Sequence, residues 1–181
     1  FGSEIAFVGR SNAGKSSAIN AIVNQKALAR TSKLPGRTQL INYFQIEVAH
    51  PERRLVDLPG YGFAKIPDSI RKQIEVMLTT YLSKRTCLKG IILLMDIRRK
   101  LEGLDLELLQ FACEFEKPVH ILLTKCDKLK KGPANSALLE VKKQLHIYNG
   151  VVSAQTFSSL DKTGVIDARQ QLSEWLLKTA D

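Results

Sequence analysis

The chain has 181 residues, a length that suits one compact domain and is too short for two ordinary ones. Apolar residues make up 44% of it and charged residues 25%, so disorder is not the default expectation. The 27 Lys and Arg residues against 18 Asp and Glu give a formal net charge of +9. This excess favours an acidic partner such as nucleic acid or an anionic membrane surface, with a basic protein that has no such partner as an equal alternative.

Segments with the patterns of strands and helices alternate along the chain. The predicted strands are Glu4–Val8, Leu40–Val48, Arg54–Asp57, Gly90–Asp96, Val119–Leu123 and Val151–Phe157. The predicted helices extend from the first loop to about Asn24, follow Pro67-Asp68, and cover Leu104–Phe115, Ser136–Leu145 and Thr163–Lys178. A loop is predicted at Lys26–Thr38 and a turn at His50-Pro51-Glu52. The alternation predicts a three-layer α/β/α fold, with a mostly parallel six-stranded sheet and helices on both faces.

Cysteine usage and hydropathy narrow the class of protein further. Cys87, Cys113 and Cys126 are far apart and include no C-x-x-C pair. They favour free thiols in a reducing cytosol over a zinc site or a disulfide framework. The longest apolar runs, such as Gly90–Met95, are far shorter than the ~20 residues of a membrane span. We therefore expect a cytoplasmic protein with no membrane span.

A phosphate-binding pattern follows the first predicted strand. Gly9–Ser16 (GRSNAGKS) matches the P-loop pattern G-x-x-x-x-G-K-[ST] at every fixed position, between a strand and a helix. Glycines there let main-chain N–H groups surround phosphate oxygens, Lys15 brings positive charge to the outer phosphates, and the Ser16 hydroxyl can bind Mg²⁺. The alternative is a chance glycine-rich turn. The predicted phosphate site comprises Gly9, Arg10, Ser11, Asn12, Ala13, Gly14, Lys15, Ser16 and Ser17.

A second pattern, after the fifth predicted strand, favours guanine as the base. Thr124-Lys125-Cys126-Asp127 is similar to the N-K-x-D motif of GTPases, with Thr124 in place of Asn. The Asp127 carboxylate can accept hydrogen bonds from both guanine donors, whereas adenine lacks this pair and would leave the charge unpaired. The stem of Lys125 can cover the base. A K-x-D sequence alone is more often a solvated loop, but behind a P-loop it predicts a site for GTP and GDP. Phe157-Ser158-Ser159 resembles the GTPase loop whose main chain contacts guanine O6.

Two further segments complete a predicted magnesium site. Asp57-Leu58-Pro59-Gly60 follows its strand in the manner of the D-x-x-G motif, in which Asp holds Mg²⁺ through water and the Gly amide contacts the γ-phosphate. Thr38 is the candidate for the switch threonine that completes the coordination, with Gly36 and Arg37 beside it in the nucleotide site. The alternative for Thr38 is a residue that simply opens the next strand. The predicted metal ligands are Ser16, Thr38 and Asp57.

The residue after D-x-x-G bears on hydrolysis. Many Ras-like enzymes carry Gln there to orient the attacking water, whereas Tyr61 stands here and predicts slow intrinsic turnover. A packing role for Tyr61 is the alternative. Asn12 occupies the position at which potassium-stimulated GTPases carry Asn, so K⁺ is a further candidate cofactor; capping of the P-loop turn is an equal alternative. Asp96 and Asp105 are interpreted as structural. The predicted catalytic residues are Lys15, Thr38, Gly60 and Asn12.

Longer segments carry a more specific resemblance. Besides the P-loop, they are Thr31–Asn42 (TSKLPGRTQLIN), Leu55–Ala64 (LVDLPGYGFA), Leu94–Arg98 (LMDIR), Leu122–Lys128 and Phe157–Gly164. Together they resemble successive signatures of the EngB/YihA/YsxC family, in which Thr often stands at the first position of the guanine motif. The resemblance implies a Ras-like P-loop GTPase fold, one G domain over residues 1–181, and Mg²⁺-dependent GTP hydrolysis. It also implies roles in assembling the large ribosomal subunit of bacteria and in normal cell division and septation.

Basic residues follow three of the segments predicted to be functional. They are Lys26, Arg30, Lys33 and Arg37, then Arg98, Arg99 and Lys100, then Lys128, Lys130 and Lys131. Because the carboxyl ends of parallel strands meet at one edge of a sheet, these clusters predict a single face for rRNA or the large ribosomal subunit. Solvated loops are the alternative. We expect a monomer.

Two other functions stay open at this point. A GTP-dependent RNA- or ribosome-binding module with negligible intrinsic hydrolysis is compatible with Tyr61. A P-loop ATPase or small-molecule kinase is compatible with Gly9–Ser16, although Asp127 argues against it.

Overall fold

The computed structural model describes residues 2–25, 41–47, 50–61, 68–148 and 150–177. Its strands are β1 (Ser3–Gly9), β2 (Asn42–Glu47), β3 (His50–Asp57), β4 (Leu88–Asp96), β5 (Val119–Thr124) and β6 (Val152–Thr156). Its helices are α1 (Lys15–Val23), α2 (Asp68–Lys84), α3 (Leu104–Glu114), α4 (Lys131–Leu145) and α5 (Val165–Leu177), and short 3₁₀ turns cover Cys126–Lys128 and His146–Tyr148.

The six strands form one sheet in the order β2-β3-β1-β4-β5-β6. All neighbouring pairs are parallel except β2 and β3, which are antiparallel at one edge. β1 lies where the chain passes from one half of the sheet to the other. A crevice for ligands forms at such a switch point, outside the carboxyl ends of the strands.

Helices cover both faces of the sheet. In β1, Ala6 and Val8 pack into the apolar cluster under α2, α3 and α4, whereas Ile5 and Phe7 pack into the cluster under α1 and α5. Successive side chains of a strand point to opposite faces, so a strand covered on both sides is apolar throughout. The predicted three-layer fold is confirmed. The extent of the domain, predicted as residues 1–181, stays a prediction. None of the described helices is both long and apolar enough to span a membrane.

Two predicted boundaries were wrong by four or more residues. β3 begins at His50 and pairs there with Glu47 of β2, so His50-Pro51-Glu52 is strand rather than turn. Pro51 is tolerated because pairing with β1 starts only at Arg53, which leaves that side of the strand open. α4 begins at Lys131, before the predicted Ser136, because Pro133 lies in the first turn, where a missing N–H breaks no helical hydrogen bond.

Gly90 allows α5 to pack closely against β4. A β-carbon at Gly90 would lie 2.3 Å from Cε3 of Trp175, a core residue that is 6% exposed. We expect Gly90→Ala to lower the free energy of unfolding by about 1–3 kcal/mol, because the ring must shift within a packed core. Urea unfolding measures this, with Gly132→Ala as control, since a β-carbon there meets no atom of the described residues within 4 Å. Equal loss of stability in both variants would contradict the close packing at Gly90.

Candidate nucleotide-binding site

The P-loop connects the carboxyl end of β1 to α1. Asn12 and Gly14 have left-handed φ angles of 62° and 87°. Residues in this conformation turn successive main-chain N–H groups toward one side and form an anion-binding concavity. Glycine adopts such angles without steric cost, which explains Gly14 at this position. The N–H of Ala13 donates to the carbonyl of Arg10 at 3.1 Å and closes the turn. Lys15 then begins α1, whose N-terminus favours a bound phosphate.

Lys15 joins the P-loop to the end of β3. Its Nζ contacts Oδ1 of Asp57, and the two side chains are only 11% and 6% exposed. Burial raises the pKa of the Asp57 carboxyl above its ordinary value, and the Lys15 ammonium opposes that shift. The D-x-x-G aspartate therefore lies directly against the phosphate-binding loop. Gly36, Arg37 and Thr38, the remaining predicted residues of this part of the site, lie outside the described residues.

Gly60 and Tyr61 run beside the P-loop. The N–H of Tyr61 donates to the Gly9 carbonyl at 3.2 Å, and the N–H of Ser11 donates to the Tyr61 carbonyl at 2.9 Å. The Tyr61 ring is 5% exposed and packs into the cluster under α3, where its hydroxyl donates to Oδ1 of Asp105 at 2.7 Å. Burial, followed by the negative charge of Asp105, raises the pKa of Tyr61 well above its ordinary value. The phenol thus stays neutral, and its hydroxyl is occupied by a buried carboxylate.

The predicted guanine-binding motif Thr124–Asp127, the base motif, is hydrogen-bonded directly to the P-loop. The Thr124 hydroxyl donates to the Ala13 carbonyl at 2.6 Å and also lies 3.2 Å from the Met95 carbonyl. Nζ of Lys125 donates to the Asn12 carbonyl at 2.8 Å. Thr124, which replaces the Asn of the common motif, therefore supports the phosphate-binding loop from the end of β5.

Asp127 is fixed by the loop after β6. The hydroxyl of Ser158, a residue that is 0% exposed, donates to Oδ1 of Asp127 at 2.7 Å. The same hydroxyl oxygen accepts the N–H groups of Leu160 and Asp161 at 3.2 and 3.3 Å, so its single hydrogen is committed to Asp127. The Phe157 ring is buried in the core, and its main chain joins the end of β5 to the base motif.

A cavity of about 630 Å³ adjoins this loop. Ser17 and Asn20 of α1 line one side of it, and Ser159 and Lys162 line the other. The two predicted site residues Ser17 and Ser159 therefore border one cavity between α1 and the loop after β6.

Two acidic residues outside the predicted site are connected to it by the structure. Asp96 accepts two hydrogen bonds from the Arg98 guanidinium, at 2.9 and 2.7 Å, and lies 3.1 Å from Nζ of Lys125. The bonds from Arg98 hold the pKa of Asp96 well below its ordinary value. Asp105, 0% exposed, binds Tyr61 and the side chain of Arg10. The Arg10 guanidinium is therefore bound to Asp105 of α3 and to the Glu102 carbonyl just before that helix. Asp96 ends an apolar strand, and an acidic residue at such a position is the signal by which the sequence could have found it. The burial of Asp105 is visible only in the tertiary structure.

Comparisons with known proteins agree with this geometry. A family model described as 50S ribosome-binding GTPase matches residues 4–125. The probable GTP-binding protein EngB of Colwellia psychrerythraea is 52% identical over 179 residues, 99% of this chain and 79% of its own length. That of Pseudoalteromonas translucida is 53% identical over 176 residues, 97% of this chain and 78% of its own. A crystal structure of a probable GTP-binding protein EngB shares the fold with a TM-score of 0.76 at 21% identity, covering 96% of this chain and 98% of that one.

Fold, P-loop and family match together define a P-loop GTPase. Within that class the chain belongs to the EngB family of GTP-binding proteins. The predicted family and the predicted GTPase activity are confirmed, against the alternative of an ATPase or small-molecule kinase.

Proposed function

We propose that the chain binds GTP and GDP at the carboxyl edge of its sheet and acts as a magnesium-dependent switch. The observation that carries the proposal is the hydrogen bonding of Thr124 to Ala13 and of Lys125 to Asn12. These bonds fix the distance between the base motif and the phosphate loop, as a nucleotide that spans both requires. In this role the P-loop main chain and Lys15 bind the phosphates, and Asp127 accepts hydrogen bonds from guanine.

Magnesium suits the oxygen atoms at this edge. The Ser16 hydroxyl and the Asp57 carboxylate are hard oxygen ligands of the kind that Mg²⁺ prefers, and the contact between Lys15 and Asp57 brings their elements together. Bound there with Thr38 as a further ligand, the ion would neutralise charge on the phosphates. Lys15 would hold the outer phosphates, and the Gly60 main chain would contact the γ-phosphate.

The position of Tyr61 supports slow intrinsic hydrolysis. Its hydroxyl donates to Asp105 inside the core, so the side chain offers no polar group to an attacking water. The same observation favours a second candidate function, a GTP-dependent binding module with negligible intrinsic hydrolysis. Asn12, exposed on the P-loop, is the proposed ligand for K⁺. Single-turnover hydrolysis, measured with and without ribosomal subunits, separates a slow GTPase from a module with negligible intrinsic hydrolysis. Comparing the rates in KCl and in NaCl at equal ionic strength tests the role of K⁺.

Nucleotide competition tests the proposed site. Unlabelled GTP and GDP should displace labelled GTP, whereas ATP should not, because its base cannot satisfy the Asp127 carboxylate. Removal of Mg²⁺ with a chelator should weaken GTP binding. Equal displacement by ATP and GTP would contradict the assignment of Asp127.

We further propose that a basic face at this edge binds the large ribosomal subunit or its rRNA. Arg99 and Lys100 are exposed beyond β4, and neither pairs with a carboxylate of the described residues. Lys130 and Lys131 are exposed where α4 begins. Positively charged side chains that have no carboxylate partner attract the phosphates of a nucleic acid. The cluster of Lys26, Arg30, Lys33 and Arg37 lies outside the described residues.

In the cell, this interaction would serve assembly of the large subunit and, through it, normal cell division and septation. The protein would act as a cytoplasmic monomer, in keeping with its three free thiols. Support for the ribosomal role comes from the family match and from the basic face.

Salt dependence measures the contribution of the basic face. Replacing Arg99 and Lys100 with Ala should weaken binding to ribosomal subunits and reduce the salt slope by ~0.7–0.9 per lost phosphate contact. GTP affinity should stay unchanged, because neither residue belongs to a nucleotide motif. Arg98 is kept, since its guanidinium is bound to Asp96 beside Lys125.

Lys142→Ala/Lys143→Ala is the matched control, with the same change of charge. Both residues are exposed in the last turn of α4, at the opposite edge of the sheet. Equal weakening by both double variants, or binding that ignores salt, would refute the proposed face.

A further inference from the structure

Asp105 at the start of α3 joins two segments of the nucleotide site. Its Oδ1 accepts the Tyr61 hydroxyl at 2.7 Å, and its Oδ2 lies 3.0 Å from the guanidinium of Arg10 in the P-loop. The Asp105 side chain is 1% exposed. Arg10 also donates to the Glu102 carbonyl at 2.8 Å, so the P-loop is attached both to α3 and to the loop directly before it.

The contact with Arg10 explains how a carboxylate can be buried here. An isolated ionised carboxylate in a core costs several kcal/mol, and a guanidinium partner offsets part of that cost. The contact is an ion pair without the alignment of a hydrogen bond, because Oδ2 lacks a hydrogen-bond partner among the described residues. The only hydrogen bond that these described residues make to the carboxylate is therefore the one from Tyr61.

Tyr61 is consequently held through both its main chain and its side chain. Its main chain is hydrogen-bonded to Gly9 and Ser11 of the P-loop, and its side chain is bonded to Asp105. Gly60, directly before it, lies so close to the same loop that a β-carbon would be 3.4 Å from the Gly9 carbonyl oxygen. A displacement of Tyr61 would therefore move Gly60 away from the P-loop.

We infer that Asp105 is a positioning residue for GTP hydrolysis, which acts by holding the Tyr61 hydroxyl and so fixing the D-x-x-G segment against the P-loop. The inference rests on the proposed function of this site. Tyr61 occupies the position of a water-orienting Gln, and its contribution is positional: the buried hydroxyl anchors the segment whose main chain faces the γ-phosphate.

Tyr61→Phe is the sharpest test, because it removes one hydroxyl and keeps both the ring and the ion pair of Asp105 with Arg10. We expect kcat for GTP to fall by ~10-fold or more, since small displacements at a reacting centre cost one to two orders of magnitude. KM should stay within about twofold, because neither Tyr61 nor Asp105 contacts the base motif or Lys15 through its side chain. Asp105→Ala should lower kcat at least as far, because it removes the same hydrogen bond and also frees Arg10 in the P-loop.

A double-mutant cycle on kcat identifies the hydrogen bond itself. The variant Tyr61→Phe/Asp105→Ala should be no slower than Asp105→Ala alone, because both changes remove the same bond. Additive losses would overturn the inference. If Asp105→Ala does not fold, Tyr61→Phe decides alone, because it leaves the buried charge paired.

Tyr81 provides a matched control at the opposite edge of the sheet. Its hydroxyl donates to Oε2 of Glu4 at 2.8 Å, and Glu4 is 0% exposed. Arg85 also pairs with that carboxylate, to which its guanidinium donates two hydrogen bonds, at 2.8 and 2.7 Å. Tyr81→Phe should lower the Tm and leave kcat unchanged. A kcat for Tyr61→Phe at or above that of Tyr81→Phe would make Asp105 structural only.

Assays of the wild-type protein distinguish failure of the inference about Asp105 from failure of the proposed function. If the wild type neither binds nor hydrolyses GTP, the proposed function fails. If the wild type turns over GTP and Tyr61→Phe does so equally well, only the inference about Asp105 fails. Assays are run well below the Tm of every variant, with GTP binding measured in parallel.

Discussion

Replacing Lys15 with alanine should lower kcat/KM for GTP by ~10²–10³-fold. The change removes a charged donor at the outer phosphates, where loss of one preorganised donor has that effect on rate. The structure adds a second consequence. Asp57 keeps a buried negative charge whose partner is gone, and breaking a buried pair in this way costs about 3–5 kcal/mol of folding stability. Turnover and thermal unfolding must therefore be measured together.

A paired variant separates the two consequences. Lys15→Met/Asp57→Asn removes both charges and keeps similar volumes, so its stability should return toward that of the wild type. Its turnover should stay as low as that of Lys15→Ala. Ser16→Ala, which leaves the ion pair in place, should lose Mg²⁺-dependent turnover without the loss of stability. Near-normal turnover by any Lys15 variant would remove Lys15 from the phosphate site.

The fold was largely predictable because its signals are local. The buried strand at Glu4–Val8, the P-loop after it and the helix to about Asn24 can each be found within a short window of sequence. The rule that ligands bind beyond the carboxyl ends of parallel strands then placed every motif at one edge. The two boundaries that were wrong by four or more residues each lie near a proline, Pro51 or Pro133. The missing N–H of a proline matters only where a strand partner or a helix carbonyl needs it, and the sequence alone does not show this.

The contacts within the site could not be predicted in the same way. The bond from Thr124 to Ala13 joins residues that lie more than a hundred positions apart in the chain, and the bond from Tyr61 to Asp105 depends on how α3 packs. An aspartate in the first turn of a helix ordinarily interacts with the helix dipole, which is why the sequence position of Asp105 favours a structural role. Its burial under the P-loop is a property of the tertiary structure alone.

Asp127→Asn should turn the protein from a GTP-binding into an XTP-binding one. The substituted amide cannot accept two hydrogen bonds from guanine, and loss of charged hydrogen bonds in a desolvated site costs about 2–3 kcal/mol. GTP affinity should therefore fall by ~30–150-fold. Xanthine carries a carbonyl where guanine carries its amine, so a donor at position 127 suits it. Competition of XTP and GTP against a labelled analogue measures the change.

Ser158 determines which way the new amide points. Its hydroxyl must donate to position 127, because its oxygen already accepts two main-chain N–H groups. The amide oxygen of the substituted side chain would take that hydrogen, which leaves the NH₂ group in the place that Oδ2 of Asp127 occupies in the wild type. Adding Ser158→Ala to Asp127→Asn removes this constraint and should reduce the preference for XTP, although the base contacts are otherwise the same. Unchanged selectivity for guanine in Asp127→Asn would remove Asp127 from the base site, and equal XTP preference with and without Ser158 would show that the serine does not orient the amide.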